Sequence, residues 1–123
     1  ACAIAIGSVH ADVTAKNMSV YASTKAALVG LVRGMALEAQ GAYRVVCLSP
    51  GAVNTAMCRA NITEGDTKPE KWGPFVRRIP AGEIAEASDV ADMCAAILAM
   101  PKSVTGCNIV MDGGASCLLG TES

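Results

Sequence analysis

The fold of this chain is decided by residues 44–51, which read Arg-Val-Val-Cys-Leu-Ser-Pro-Gly. A largely apolar run with two β-branched residues predicts a short strand over residues 44–49 that is buried on both faces, as in a parallel sheet. Pro50 and Gly51 end that strand abruptly. A strand buried on both faces needs helices above and below it, so the flanking sequence is expected to supply them.

Upstream of this strand, residues 21–39 predict a helix, because they contain no proline and are rich in Ala, Leu and Met. Its apolar residues run nearly all the way round, which is typical of a helix covered on more than one side. Gly41 is expected to stop it. Residues 1–7 predict another buried strand, whose edge is expected to be unpaired, and residues 8–20 predict a loop.

Downstream, Ser88 is expected to cap a second helix, with Asp89 in its first turn. The apolar residues of this helix recur at the spacing of one buried face; they are Val90, Met93, Cys94, Ile97 and Leu98. Residues 107–111 predict a third strand, and residues 56–82, with three prolines, predict irregular structure. The order strand, helix, strand, helix, strand predicts an α/β fold with a parallel sheet and right-handed crossovers.

Composition excludes several classes of protein. The chain has 123 residues, enough for one domain at most, and 52% are hydrophobic, which excludes a disordered chain. The net charge of -1, without a basic patch, argues against nucleic-acid binding. The longest uncharged stretch, residues 45–58, is too short to span a membrane. The six cysteines form no C-x-x-C motif, so we expect no metal site and reduced thiols in a cytoplasmic protein.

The most informative chemical pattern is Tyr21 followed by Lys25, since residues four apart share one face of a helix. A Lys ammonium beside a phenol favours the ionised phenolate and so assists proton exchange. Ser8 follows the end of a predicted strand, where ligands bind in α/β sheets. Alone, the Tyr-Lys spacing also fits an ordinary helix surface.

Together these residues keep the order of a known family. Ser8, the Tyr21-Lys25 pair thirteen residues later, the segment 50–55 (Pro-Gly-Ala-Val-Asn-Thr) and the run from Thr105 to Gly114 closely resemble the C-terminal half of classical short-chain dehydrogenases/reductases. The resemblance covers essentially residues 1–123. It implies a Rossmann-like doubly wound parallel sheet, of which this chain is the C-terminal part.

The resemblance implies a role for each matching residue. Tyr21 matches the catalytic acid/base, Lys25 the residue that assists it and binds the nicotinamide ribose, and Ser8 the residue that polarises the substrate oxygen. The positions that match the nicotinamide-lining segment are Pro50, Gly51, Val53 and Thr55. Residues 56–82 match the variable substrate-binding loop or lid. The implied reaction is hydride transfer between NAD or NADP and a small alcohol or carbonyl compound.

Several alternatives stay open. His10 is interpreted as a solvated loop residue in preference to a substrate contact, and Trp72 and Phe75 either contact substrate or anchor the lid. Gly30 and Gly34 either admit a second helix, as in family dimers and tetramers, or reflect crowding within the monomer. The protein is a catalytically silent binding module in one rival interpretation, and a small α/β protein with a coincidental match in another.

The chain also departs from the family pattern. It has no glycine-rich phosphate turn, no residue that selects NAD or NADP, and no upstream Asn-Ala-Gly segment. We therefore expect the 123 residues on their own to be inactive and to bind dinucleotide poorly.

Overall fold

Three parallel strands form the centre of the molecule. The computed structural model describes residues 1–58 and 69–118, with the backbone alone for residues 69–72. The strands β1 (Cys2–Ile6), β2 (Arg44–Pro50) and β3 (Asn108–Met111) lie in the order β1-β2-β3, all parallel. The central strand β2 is almost wholly buried, as its apolar run predicts. The predicted parallel α/β sheet is therefore confirmed.

Two helices cover the two faces of this sheet. Helix α1 (Ser19–Ala39) packs on one face, where its buried Val32 belongs to one cluster with Val45 and Cys47 of β2. The helix formed by Ala87–Leu98, called α3 below, packs on the other face, where Ile97 meets Val46 and Leu48. Because successive strand residues point to opposite faces, β2 supplies both cores. This is the doubly wound arrangement that the resemblance implied.

Helix α1 departs slightly from its predicted bounds. It begins at Ser19, two residues before the predicted start, and its last residue is Ala39, as predicted. Gln40 already takes a left-handed conformation (φ 48°), and Gly41 follows with φ 83°. The turn thus needs two left-handed residues, and Gly41 is the one that adopts this conformation without strain.

The predicted cap of α3 is wrong. The helix begins at Ala87, so Ser88 lies inside it, and Glu86 is the cap. The Oδ2 atom of Asp89 accepts a hydrogen bond from the Glu86 backbone N–H at 2.7 Å. The Asn54 side chain donates to Oε1 of Glu86 at 3.0 Å, so a contact from a distant loop fixes the residue at which the helix starts.

The stretch predicted as irregular contains a helix, α2 (Pro69–Val76). Pro69 fits its first position, where the missing N–H needs no partner, although Pro74 lies inside the helix. Residues 59–68 of the predicted lid lie outside the described residues. The predicted loop over residues 8–20 also contains one short 3-10 turn, Val9–Ala11. Within residues 69–118 the observed order thus has one α-helix more than predicted, α2.

Strand β1 lies at an edge of the sheet. Within residues 1–58 and 69–118 it pairs with β2 alone, and its Ile6 side chain is 46% exposed. The predicted unpaired apolar edge is therefore present in this part of the chain. None of the helices in the described ranges has the length and apolarity that crossing a membrane requires.

Candidate active site

The ends of the three strands meet at one edge of the sheet. The Gly7 N–H donates to the Leu48 carbonyl at 2.8 Å, and the Gly51 N–H donates to the Met111 carbonyl at 3.0 Å. A Cβ atom on Gly51 would lie 2.8 Å from Cβ of Asp112, so only glycine fits this close approach. In parallel sheets this edge is where ligands bind, and the sequence places its candidate residues directly after the strands.

Ser8 follows β1 and is buried, with 6% of its surface exposed. Its backbone is extended, and its Oγ accepts a hydrogen bond from the His10 N–H at 3.1 Å, which caps the turn Val9–Ala11. A hydroxyl carries one proton and two lone pairs, and this bond uses one lone pair. The capped turn therefore fixes Ser8 while its proton can still be donated to a ligand.

Tyr21 and Lys25 come together on the first turns of α1. The Lys25 Nζ lies 5.7 Å from the centroid of the Tyr21 ring, and it also donates to the Ile6 carbonyl at 3.4 Å. The Tyr21 side chain is 41% exposed and so remains accessible. Lys25 thus connects the end of β1 to the tyrosine.

His10 lies in the short turn Val9–Ala11 and is half-buried. Its Nδ1 lies 2.8 Å from Oγ1 of Thr14. Its ring packs edge-on against Tyr21, with centroids 5.5 Å apart and an angle of 79° between the rings. The 3-10 turn after Ser8 brings the imidazole to the tyrosine, and the sequence pattern did not predict that turn. Ser8 and Tyr21 are thereby linked through a single residue.

The segment that follows β2 is tied to the start of α3. Val53 forms an isolated parallel bridge with Ala85, and the Asn54 N–H donates to the Ala85 carbonyl at 2.8 Å. The Asn54 amide also donates to both carboxylate oxygens of Glu86, at 3.0 and 3.2 Å. Thr55 Oγ1 accepts from the Cys58 N–H at 3.2 Å. Sequence analysis missed Asn54, since nothing in the local pattern links it to Glu86.

Asp112, the residue after β3, uses its carboxylate inside the chain. Oδ1 accepts from the Gly114 N–H and Oδ2 from the Ser116 N–H, both at 2.9 Å. Burial raises the pKa of the Asp112 carboxyl, but hydrogen bonds from the side chain and backbone of Ser116 and from the Gly114 backbone lower it. The net pKa lies below the ordinary value. Asp112 therefore stabilises the turn after β3.

A cavity of about 460 Å³ lies behind this edge, on the α3 side of the sheet. Ser8, Tyr21 and Lys25 do not line it, so it is separate from the candidate catalytic residues. Its walls come from the loop after β2, the residues before α3, α3 itself and the turn after β3, and include Ala52, Ile79, Met93, Met111 and Asp112. Within the described ranges, no three His, Cys, Asp or Glu side chains are placed to hold a metal ion.

Comparison with known proteins decides the family. The family model described as enoyl-(acyl carrier protein) reductase matches residues 1–116. Over 102 residues the chain is 37% identical to dehydrogenase/reductase SDR family member 6 of Rattus norvegicus, covering 80% of this chain and 41% of the rat protein. The chain belongs to the short-chain dehydrogenase/reductase family. It is also 38% identical over 100 residues to L-xylulose reductase of Mesocricetus auratus, covering 80% of this chain and 39% of that protein.

Solved structures agree with this assignment. Aldohexose dehydrogenase of Thermoplasma acidophilum superposes with a TM-score of 0.86 at 27% identity, over 99% of this chain and 50% of that one. A gluconate 5-dehydrogenase from Beutenbergia cavernae with bound NADP, described as putative and NAD(P)-dependent, superposes with a TM-score of 0.77 at 30% identity, over 95% and 46% of the two chains. The chain spans about two-fifths of the length of the sequence relatives it matches.

The described residues fit one end of a nicotinamide dinucleotide. Lys25 carries three N–H donors and uses one toward Ile6, and the hydroxyls of Tyr21 and Thr55 supply further polar groups at this edge. Such donors suit ribose hydroxyls and a carboxamide. A glycine-rich strand-to-helix turn, which holds the pyrophosphate in this fold, is absent from the 123 residues. The fit is therefore to the nicotinamide half alone.

Proposed function

We propose that the complete protein is an NAD(P)-dependent oxidoreductase that interconverts an alcohol and a carbonyl compound. One observation carries the proposal: Lys25 Nζ lies 5.7 Å from the Tyr21 ring centroid while it also holds the Ile6 carbonyl, just before Ser8. A phenol, an ammonium group and a buried hydroxyl thereby share one strand-end edge, as acid/base chemistry on an oxygen requires.

Each of the three residues has one task. In the reducing direction the Ser8 hydroxyl donates a hydrogen bond to the substrate carbonyl oxygen, and Tyr21 transfers its phenolic proton to that oxygen. Lys25 stabilises the phenolate that remains. In the oxidising direction the Tyr21 phenolate accepts the alcohol proton. The nicotinamide, when bound, supplies or accepts the hydride.

We assign the binding of NAD or NADP to the same edge. Lys25 and Tyr21 hold the ribose hydroxyls, and the residues that line the nicotinamide are Pro50, Gly51, Val53 and Thr55. The bridge from Val53 to Ala85 and the Asn54–Glu86 hydrogen bonds support this assignment, because they give the segment a fixed backbone. A preformed backbone lowers the entropy lost when a ligand binds.

The substrate is a small alcohol or carbonyl compound, and residues 56–82 are proposed to form its loop or lid. Relatives named for L-xylulose and D-erythrulose reduction support a polyhydroxylated ketone as one such substrate. Helix α2 gives part of the loop a regular backbone.

We further propose that α1 pairs with a second copy of the chain in a dimer or tetramer. Leu31 and Leu37 of this helix are 55% and 80% exposed. No described atom lies within 4 Å of a Cβ added to Gly30 or Gly34, so crowding inside the described chain does not explain these glycines. We also propose a cytoplasmic location for the protein.

Replacement of Tyr21 by Phe in the complete protein tests the proposed function. The proton donor is lost while the ring remains, so we expect turnover of NAD(P)H with a ketose to fall about hundredfold or more. Tyr43→Phe is the matched control, because Tyr43 packs beside the core cluster of α1 at the other end of β2. Unchanged turnover in Tyr21→Phe would remove Tyr21 from the proposed chemistry, whereas no turnover in the natural protein would favour the silent binding module.

The 123 residues alone provide a second test. Without a glycine-rich turn they are expected to show no turnover and weak dinucleotide binding, measured by titration calorimetry with NADPH and NADH. Turnover by the purified 123-residue chain would contradict this part of the proposal.

A further inference from the structure

The proposed mechanism does not use a buried polar pair, Ser49 and Asn108, near the C-terminal end of β2. Ser49 is fully buried, and its Oγ donates to Oδ1 of Asn108 on β3 at 2.6 Å. Cys47 pairs in register with Asn108, so the Ser49 hydroxyl reaches diagonally across the two strands. A buried hydroxyl without a partner is costly, so this bond constrains both side chains strongly.

The other side of Ser49 faces the strand that carries Ser8. A Cβ atom added to Gly7 would lie 2.8 Å from Ser49 Oγ and 2.8 Å from Cys47 Sγ. The Gly7 N–H also donates to the Leu48 carbonyl at 2.8 Å. The backbone of Gly7 therefore packs directly on the Ser49 hydroxyl. A shift of that hydroxyl would therefore change the packing around Gly7, the residue before Ser8.

Ser49 is also the residue before Pro50 and Gly51, which open the proposed nicotinamide-lining segment. The same side chain thus lies between the two halves of the proposed site. The hydrogen bond to Asn108 holds Ser49 against β3. Two residues further on, the Gly51 N–H donates to the carbonyl of Met111 in the same strand.

We propose that Ser49 and Asn108 are positioning residues that hold the end of β1, and with it Ser8, at a fixed place relative to residues 50–55. The inference rests on the proposed function, because its consequence is the placement of the Ser8 hydroxyl against the substrate oxygen. Displacements of the order of an ångström at a reacting group lower catalytic rates substantially.

The test compares Ser49→Ala with Thr105→Val in the complete protein. Thr105 Oγ1 accepts from the Val45 N–H at 3.0 Å, at the opposite end of β2, so it matches the Ser49 contact away from the site. Both variants are expected to lower the melting temperature. We expect Ser49→Ala alone to lower kcat, by about tenfold. Equal kcat in the two variants, with equal loss of stability, would reduce Ser49 to a structural residue.

Two further variants at Asn108 separate the hydrogen bond from the packing. Asn108→Asp keeps an acceptor oxygen for the Ser49 hydroxyl and is expected to retain kcat, whereas Asn108→Leu is expected to behave like Ser49→Ala. If Asn108→Leu keeps full kcat, the hydrogen bond is not what positions Ser8 and the proposal fails.

A double-mutant cycle identifies Ser8 as the residue through which Ser49 acts. In a Ser8→Ala background, the Ser49→Ala substitution is expected to cause no further loss of kcat, since non-additivity marks a shared path. Independent, multiplying losses would overturn the proposal.

The exchange rate of the Gly7 amide proton tests the positioning role without measuring activity, so it separates failure of this inference from failure of the proposed function. Ser49→Ala is expected to accelerate exchange of the Gly7 N–H, whose bond to Leu48 reports the position of β1, and Thr105→Val is not. Unchanged exchange in Ser49→Ala would overturn the positioning role even if Tyr21→Phe abolishes activity. Faster exchange with a fully active Tyr21→Phe would instead overturn the proposed function alone.

Discussion

The two long helices cover opposite faces of the same sheet but differ in how completely this chain buries them. Helix α3 begins with a hydrogen bond from Glu86 to Asp89 and places Ile97 wholly inside the core. Helix α1 has no side-chain cap, carries the candidate catalytic pair on its first turns and leaves Leu37 80% exposed. Both helices contribute to the core, but α1 also carries the residues proposed for catalysis and the exposed apolar face proposed for association.

The largest expected effect is the loss of the buried side chain of α3. Ile97→Ala leaves a cavity against Val46 and Leu48 and is expected to lower the free energy of unfolding by about 2–5 kcal/mol. Denaturant unfolding of the complete protein measures it. Leu98→Ala, at a side chain that is 57% exposed, is the control and should change stability by less than about 0.5 kcal/mol. An equal loss in both variants would mean that another surface covers α3.

A charged residue on the exposed face of α1 tests the proposed role of this helix in self-association. Leu37→Asp places a carboxylate on the exposed apolar face and should leave the fold of the protomer intact. Burying that charge in an interface is costly, so self-association is expected to weaken about hundredfold or more. Sedimentation velocity measures the oligomer. Val13→Asp, at an exposed apolar residue outside α1, is the control and should leave the oligomer unchanged.

Much of this fold was predictable because it depends on local pattern. The apolar run of β2 predicted a doubly buried strand, and the spacing of Val90, Met93 and Ile97 predicted the buried face of α3. Leu98 was predicted on the same face, which is wrong, because it is 57% exposed. The start of α3 was not predictable, since the Asn54–Glu86 hydrogen bonds that fix Glu86 join residues 32 positions apart. Helix α2 was missed because Pro69 and Pro74 were weighed as breakers, although Pro69 only opens it.

The candidate site divides in the same way. Ser8, Tyr21 and Lys25 were found from their order and spacing, and the structure brings Tyr21 and Lys25 together. The contact of the His10 ring with Tyr21 was not predicted, because it depends on a 3-10 turn that has no strong sequence signature. Residues that share a helix face can be predicted from their spacing in the sequence. The path of a loop cannot, because it depends on contacts between residues far apart in the chain.

His10 supplies a smaller test on the α1 side. His10→Ala removes the edge contact with the Tyr21 ring, so the ring is less well oriented and kcat is expected to fall about tenfold. His10→Phe keeps an aromatic edge and should restore most of that loss. Steady-state kinetics with the melting temperature as control measures both. If His10→Phe is as impaired as His10→Ala, the imidazole acts through its polar atoms and not through packing.

The smallest expected effect is on the pH dependence of stability, through Asp112 after β3. It contrasts this residue with Ser8, which follows β1. The Ser8 hydroxyl accepts a hydrogen bond from the His10 N–H and is proposed to donate its own proton to substrate, whereas the Asp112 carboxylate accepts hydrogen bonds from the Gly114 and Ser116 N–H groups. Its pKa is lower in the folded than in the unfolded chain. Its contribution to stability is therefore fully present above the unfolded pKa of about 4 and is lost as the pH falls through the folded pKa.

Melting curves between about pH 6 and pH 2 test this sign with Asp112→Asn. The variant keeps the size of the side chain but cannot ionise, so we expect it to be less stable than the natural protein near neutral pH and equally stable at the acid end. Asp92→Asn is the control, since it removes a carboxylate from α3 and leaves the turn after β3 unchanged. Two parallel melting curves for Asp112→Asn and the natural protein would show that the turn after β3 does not depend on the charge. The acid sensitivity of this edge would then have to come from another carboxylate.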